Sequence, residues 1–490
     1  MANGKARAGN GKARPRNGKA VPGNGKSKGE LRIRMYRVGF GDFFLISVPS
    51  PGGDQHILID CGVTRGHTGK GDIASIKDAV RHMAEATDHR LALLIVTHRH
   101  QDHIVGFSRC EDEFRQFRGR VDAIWMPFWE TEYAAHDKVR KFQADLHDTA
   151  LALYQAALAG DADEINAEIA GLTMNATGAG EGPGGGSNAR SLELLKRELG
   201  VTPKYYARGD QPELPAGLVN AGLSAQILGP PPAEQLDFLK LMDLKKTVGQ
   251  YLDASGGVRT ARGKLAPFAP EFIVGANAYP ASAFREWTPR DGHGDPGASY
   301  HAVLEHSVKS ATPDAMLTAA KQLDSILNNQ SLVVRFTWRG KHLLFAGDAQ
   351  GGNWQSWLYD LDKPKKDPSK DPLSDQGRDI LGSLAFYKVG HHGSTNATPI
   401  AAVEAMGKAV VAMCSTQADT FGSSTSGTEV PREPLLDAIE HAERVVVRSD
   451  HYPVTVGGVR IPAVEGAPSR LPSPEAGRLV RGDCYIDYFL

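Results

Sequence analysis

The chain has 490 residues, 41% of them hydrophobic, and a formal net charge of −1 at pH 7. That length suits about three average domains, or one large α/β domain carrying insertions, and we read the second. No apolar stretch approaches the roughly 20 residues of a membrane span, and Cys61, Cys110, Cys414 and Cys484 are scattered without CxxC spacing, so a soluble protein of a reducing cytoplasm is expected.

Residues 1–30 carry eight Lys/Arg against the single Glu30, a charge of +7, which leaves residues 31–490 with 48 basic and 56 acidic groups, or −8. Four repeats in this tail, NGKA or NGKS, begin at Asn3, Asn10, Asn17 and Asn24 and offer no apolar seam. A coiled coil is excluded and disorder is expected. The plain reading is a solubilising spacer; the sharper one is weak binding of nucleic acid or another polyanion. The tail lacks the apolar run of a secretory signal.

Next, "LRIRMYRVGFGDFFLISVP" and "HILIDCGVT" read as two strands around the turn "SPGGDQ". From Asp72 to Ala86 the spacing of Ile73, Ile76, Val80 and Met83 predicts a helix. "LALLIV" reads as a buried strand that delivers "THRHQDH", residues 97–103, at its end. "VDAIWMPF" is a further strand, 130–172 has helical period, 173–190 is a Gly-rich loop, and "SLELLKREL" is a short helix before the strand "LSAQILGPPP". Insertions are expected at 130–200 and 233–328. "SLVVRFTWRGKHLLFAGDAQ" then supplies two strands ending in Gly347 and Asp348, and "LAFYKVGHHGST" a strand with histidines at its tip. "KAVVAMCST", a helix at "EPLLDAIEHA" and "ERVVVRS" follow.

His98 and His100 lie two apart, so in an extended loop both imidazoles can reach one cation, while Asp102 and His103 point toward a second. Imidazole plus carboxylate suits zinc, and also manganese or iron. Asp348, at a strand end, is the natural bridging carboxylate.

This pattern resembles the metallo-β-lactamase superfamily, whose H-x-H-x-D-H signature matches His98, His100, Asp102 and His103. "HILIDCG" is similar to its strand with a structural aspartate, here Asp60, and "FAGDA" to its bridging-aspartate motif. "VGFGDFFLI", "LLFAGDA" and "YKVGHHGS" are similar in order to the hydrolase domain of ComEC/Rec2-type competence proteins. Many of those have Asp where His100 stands, and they sit on a membrane channel, so no role in DNA import is carried over. The resemblance implies a four-layer αβ/βα sandwich and one or two zinc ions, with manganese possible. It also implies hydrolysis by a metal-bound hydroxide, in which Asp102, His103 and Asp348 act directly. His391 is taken as the ligand from "GHHGS", with His392 bonding substrate or supporting the site. Ser394 and Lys388 are candidate contacts to an anionic substrate, Lys388 having a solvent-facing alternative. The superfamily's third histidine of the first metal site falls at Gly229. His136, His147, His293, His301 or His306 would have to replace it, or water would complete that shell. A phosphodiesterase or nuclease is expected. The alternatives are a carboxylic ester, thioester or lactone hydrolase, or a non-catalytic regulatory module with a degenerate site.

Overall fold

Strand formation follows the two-residue alternation of the sequence. In β1 (Arg32–Tyr36), Ile33 and Met35 enter one core and Tyr36 another; in β3 (Gln55–Ile59), Ile57 and Ile59 part from Leu58 in the same way. The computed structural model describes residues 29–64, 73–160, 163–178, 187–241, 312–368, 370–422, 429–440, 444–451 and 478–490, with the backbone of 454–456, 459–461 and 468–470. The basic tail to residue 28, residues 242–311 of the second expected insertion, and with them His293, His301 and His306, lie outside the described residues.

The fold is mixed α/β with two mixed sheets. One contains β1, β2 (Phe44–Val48), β3, β4 (Leu93–Ile95), β5 (Ile124–Pro127) and β6 (Lys204–Tyr206). The other contains β7 (Leu223–Gly229), β8 (Val333–Trp338), β9 (Lys341–Phe345), β10 (Leu384–Lys388), β11 (Val411–Cys414) and β12 (Val445–Arg448). After a small hairpin, β13 (Val454–Val456) and β14 (Val459–Ile461), the chain returns to the first sheet as β15 (Pro468–Arg470), β16 (Arg478–Arg481) and β17 (Tyr485–Phe489). The sheet orders are β15-β16-β17-β1-β2-β3-β4-β5-β6 and β12-β11-β10-β9-β8-β7. β1 to β3 pair antiparallel and β3 to β6 parallel; β7 to β9 pair antiparallel and β9 to β12 parallel.

One core joins the sheets, with Phe44 and Trp125 from the first and Phe336, Phe345 and Phe386 from the second. Helices Ile76–Ala86 and Gln101–Arg109 pack on the other face of the first sheet. Helices Gly351–Leu358, Asp375–Gly382 and Glu433–Glu440 cover that of the second. Within 130–200 the chain forms helices Asp137–Ala159 and Glu164–Thr177, and these pack with Pro313–Asn329.

Two local readings change. The first long apolar segment is two strands, because residues 37–43 leave the sheet as a loop between β1 and β2. The Gly-rich loop expected at 173–190 is shorter, since helix 164–177 runs into it and Gly178 caps that helix in a left-handed conformation. All four cysteines are free and buried. Among the described residues no helix is long and apolar enough to cross a membrane.

β1 and β17 are tied by a buried ion pair: Arg34 Nε and Nη2 donate to Asp487 at 2.6 and 2.7 Å, and the Tyr485 ring lies 3.5 Å from the guanidinium carbon. Removing one partner strands the other charge in the core. Asp487→Ala should therefore cost about 3–5 kcal/mol in urea unfolding, while Arg34→Met with Asp487→Leu should recover most of that loss.

Candidate metal centre

Each candidate side chain leaves a strand end or the turn just after it. Thr97 and His98 follow β4, His100 is the N-cap of helix Gln101–Arg109, and Asp102 and His103 occupy its first turn. Asp348 follows β9 and the histidine pair follows β10. β9 and β10 are parallel neighbours, so Asp348 and the histidines leave the same edge of one sheet.

Asp60 sets the geometry of the His98 loop. Its carboxylate accepts from Thr97 N at 2.7 Å and Thr97 Oγ1 at 2.6 Å, and lies 2.8 Å from His103 Nδ1. With Nδ1–H directed at Asp60, the Nε2 lone pair of His103 faces away, 3.0 Å from Asp348 Oδ2 and 3.9 Å from Asp102 Oδ1. His392 is arranged alike: Nδ1 donates to the Ser415 carbonyl at 2.7 Å, and Nε2 is 3.1 Å from Asp102 Oδ2 and 3.3 Å from Asp348 Oδ2. An oriented imidazole whose second nitrogen meets carboxylates is the usual setting of a metal-ligating histidine. Two donors on one tetrahedral zinc ion, each at about 2.1 Å, stand roughly 3.4 Å apart, and the four contacts span that value. Asp102, His103, Asp348 and His392 are all buried and could together hold a metal ion.

The adjacent histidines are the reverse of the expectation. His391 and His392 both adopt left-handed backbone, φ 42° and 53°, which non-glycine residues rarely do. That turn brings His392 into the four-residue set, while His391 Nε2 is 4.0 Å from Asp348 Oδ2 and 3.5 Å from Asn328 Nδ2. The His391 side chain is 20% exposed, against 0% for His392. Lys388 is buried, not turned to substrate or solvent: its ammonium donates to Gly347 O at 2.9 Å, lies 3.4 Å from Asp348 Oδ1 and pairs with Asp42. It therefore fixes Asp348 with Oδ2 toward the histidines. Ser394 is half-buried and donates to Asn396 Oδ1 at 2.8 Å, the oxygen that is also 3.1 Å from His391 Nδ1.

His98 and His100 stand beside this set, their rings 4.7 Å apart and the His98 ring 4.1 Å from that of His103. Both Nε2 atoms are buried without a hydrogen-bond partner. Gly229 cannot host the superfamily's third histidine, because a Cβ there would lie 2.2 Å from Asn353 Oδ1. Asn353 is itself fixed, donating to the carbonyls of Asn329 at 3.0 Å and Ser331 at 2.8 Å. His136 packs on Phe128, and His147 lines a separate cavity with Arg99 and Glu130, so neither of these replaces it.

Two acidic residues at the site were not among the candidates. Asp42 sits in the β1–β2 loop, paired with Lys388 and 3.6 Å from His392 Nδ1. Its only sequence signal is its place in "VGFGDFFLI". Asp324, on helix Pro313–Asn329, approaches His100 Nε2 to 3.7 Å.

The charges are interdependent. Burial disfavours the His392 cation, yet the charge of Asp348 and contact with Asp102 outweigh it and raise its pKa to about 10. His103 is raised well above its usual value against the same burial, by Asp348, Asp42 and Asp60. Burial, and after it the neighbouring His103, push His98 well below its ordinary value, and burial with His103 lowers His100 to about 4. Asp324 is pushed up to about 8 by burial and by Asp102 and Asp348. The carboxylates thus favour the protonated forms of His103 and His392.

The chain matches no protein-family model and no curated protein.

Two outcomes test the centre. A cation must displace the proton of His392, whose raised value of about 10 lies above neutrality, so zinc affinity should rise with pH through the neutral range. Calorimetry in buffers of different ionisation enthalpy should show proton release on binding. Second, a Cβ at Gly62 would lie 2.1 Å from Asp102 C and 2.2 Å from His103 N, both backbone. Gly62→Ala should thus displace the ligand turn and lower bound zinc per chain with every ligand retained.

Proposed function

We propose that the chain is a metal-dependent hydrolase of the metallo-β-lactamase type, acting on phosphodiesters, with nucleic acid the favoured substrate class. The observation that carries this reading is the buried set Asp102, His103, Asp348 and His392, with each imidazole oriented through Nδ1 and its Nε2 directed at carboxylates. The two sheets sharing one core, with helices on both outer faces, accord with the four-layer αβ/βα sandwich of that superfamily. Zinc fits the donor set best, with manganese next. Cations bound there would acidify water and offset the charge that develops during hydrolysis. Asp60 and Ser415 O hold the two imidazoles by their far nitrogens, Lys388 aims Asp348, and the partly buried His391 and Ser394 would line the side from which substrate enters.

A phosphodiester is favoured by the motif order around Asp42, Asp348 and His392. It is also favoured by an aromatic step beside the site: Phe40 lies 4.3 Å from the His392 ring, and Phe421, 42% exposed, lies 4.6 Å from Phe40. An exposed ring at that place suits a stacked base, an interaction worth about 1–3 kcal/mol. The basic tail would add phosphate contacts whose effect falls as salt rises.

Purified protein with zinc or manganese should cleave single-stranded DNA, double-stranded DNA or RNA and a chromogenic phosphodiester. Asp102→Ala and His103→Ala should reduce turnover to that of the chelated protein while remaining folded. Cleavage confined to carboxylic esters would sink the phosphodiester reading, and full turnover after chelation would sink the metal. Phe421→Ala should raise KM for a nucleic acid by about 5- to 150-fold and leave the chromogenic substrate unaffected.

A further inference from the structure

Arg99 stands between His98 and His100 in the chain, yet its side chain leaves the His/Asp cluster and lines a separate cavity of about 350 Å³. The short turn Phe128–Glu130, helix Asp137–Ala159 and helix Asn188–Glu193 form the other walls. Small-molecule sites occupy about 300–1,000 Å³, so this one suits a single small molecule rather than a chain.

The lining selects an anion that also carries hydrogen-bond donors. Buried Glu130 accepts from Arg99 Nε at 2.6 Å, Arg99 Nη2 at 2.9 Å and Lys196 Nζ at 3.2 Å. Two cations on one carboxylate leave a positive surplus, and half-exposed Arg140 adds to it. Over the whole lining three cations face two carboxylates, Glu130 and Glu132, and Glu132 is shared with Arg197, 3.3 Å away outside the cavity. Such cations suit a phosphate. Asn188 is buried and its Oδ1 has no hydrogen-bond partner, an acceptor that calls for a donor. Trp129 spends its indole N–H on Pro231 O at 3.1 Å and brings only apolar surface. A phosphate for the cations, N–H or O–H groups for Asn188 and an apolar ring beside Trp129 together describe a nucleotide.

The walls are bonded to the His/Asp cluster on two sides. Asn188 Nδ2 donates to Arg99 O and to Asn175 O, both at 2.9 Å, and Asn175 Oδ1 accepts from Asp102 N at 3.4 Å. Gln143, also in the lining, exchanges amide hydrogen bonds with Gln330 at 2.7 and 3.3 Å. The next residue, Ser331, accepts through Oγ from Asp348 N at 3.1 Å. A ligand that orders Arg99, Asn188 or Gln143 therefore bears on both Asp102 and Asp348.

We propose that this cavity binds a nucleoside monophosphate, the phosphate monoester that complete phosphodiester hydrolysis of a nucleic acid releases, and that its occupancy is coupled to metal binding at Asp102 and Asp348. The coupling rests on the metal reading and the product role on the phosphodiester reading.

Calorimetric titration of the full chain with nucleoside 5′-monophosphates, zinc-loaded and chelated, tests it. One equivalent should bind. Coupling between two sites is reciprocal and typically 5- to 150-fold, so its affinity should differ by about that factor between the two forms. Ala144→Trp should block binding by filling the cavity from an exposed wall position, and Arg140→Ala should weaken it; both positions are exposed, so the fold should hold. Adenosine or inorganic phosphate alone should bind far more weakly. No binding in either form, or inorganic phosphate binding as tightly as the nucleotides, would overturn the site. Binding that survives Ala144→Trp and disappears on chelation would put the nucleotide on the metal itself and overturn it as well. Equal affinity with and without zinc would overturn the coupling. Nucleotide binding sensitive to Ala144→Trp, in a chain that holds no zinc or cleaves no phosphodiester, would keep the site and sink the reading beneath it.

Discussion

Asp60, Asp42, Asp102 and Asp348 are buried where loops from the two sheets meet, and a buried charge is tolerated only when it is paired and hydrogen-bonded. Asp60 meets that condition with Thr97 and His103 and so dictates the path of the chain after β4. Asp42 and Asp348 share the Lys388 ammonium. Asp102 faces His392 and leaves its backbone carbonyl to the amide of Asp42, 2.9 Å away. The sheets, the glycine contact at Gly62 and the left-handed turn at His391 and His392 are all fitted to these four carboxylates.

Most strands were legible because half-buried strands alternate and parallel central strands are short apolar runs. The turn at residues 97–103 was legible for a different reason: four residues of ligand type in six positions follow such a run. What stayed hidden came from the third dimension. In "YRVGFGDFF" Gly39 and Gly41, both with positive φ, mark where the chain leaves the sheet, but nothing in the pattern announces that Asp42 is buried. Two adjacent histidines cannot be ranked by spacing when both take left-handed backbone. Lys388 in "LAFYKVG" looks like a solvent-facing or substrate-facing lysine, and only the approach of the β1–β2 loop explains its burial.

Asp324 was the least visible. In "QLDSILNN" it reads as the polar face of an amphipathic helix, and that helix lies inside a segment whose other residues give no regular pattern. Its approach to His100 emerges only when helices 137–159, 164–177 and 313–329 are seen packed together. Asn188 binds that layer to the turn, donating to Arg99 O and Asn175 O, both at 2.9 Å. Segments that look like decoration on the α/β core therefore shape the site.

Diffraction from crystals saturated with zinc tests most directly whether the His/Asp cluster holds a metal ion. An anomalous difference map at the zinc absorption edge should show a peak enclosed by Asp102, His103, Asp348 and His392, absent from crystals washed with chelator. A map with zinc only on the protein surface, and the four side chains hydrogen-bonded among themselves, would contradict the account.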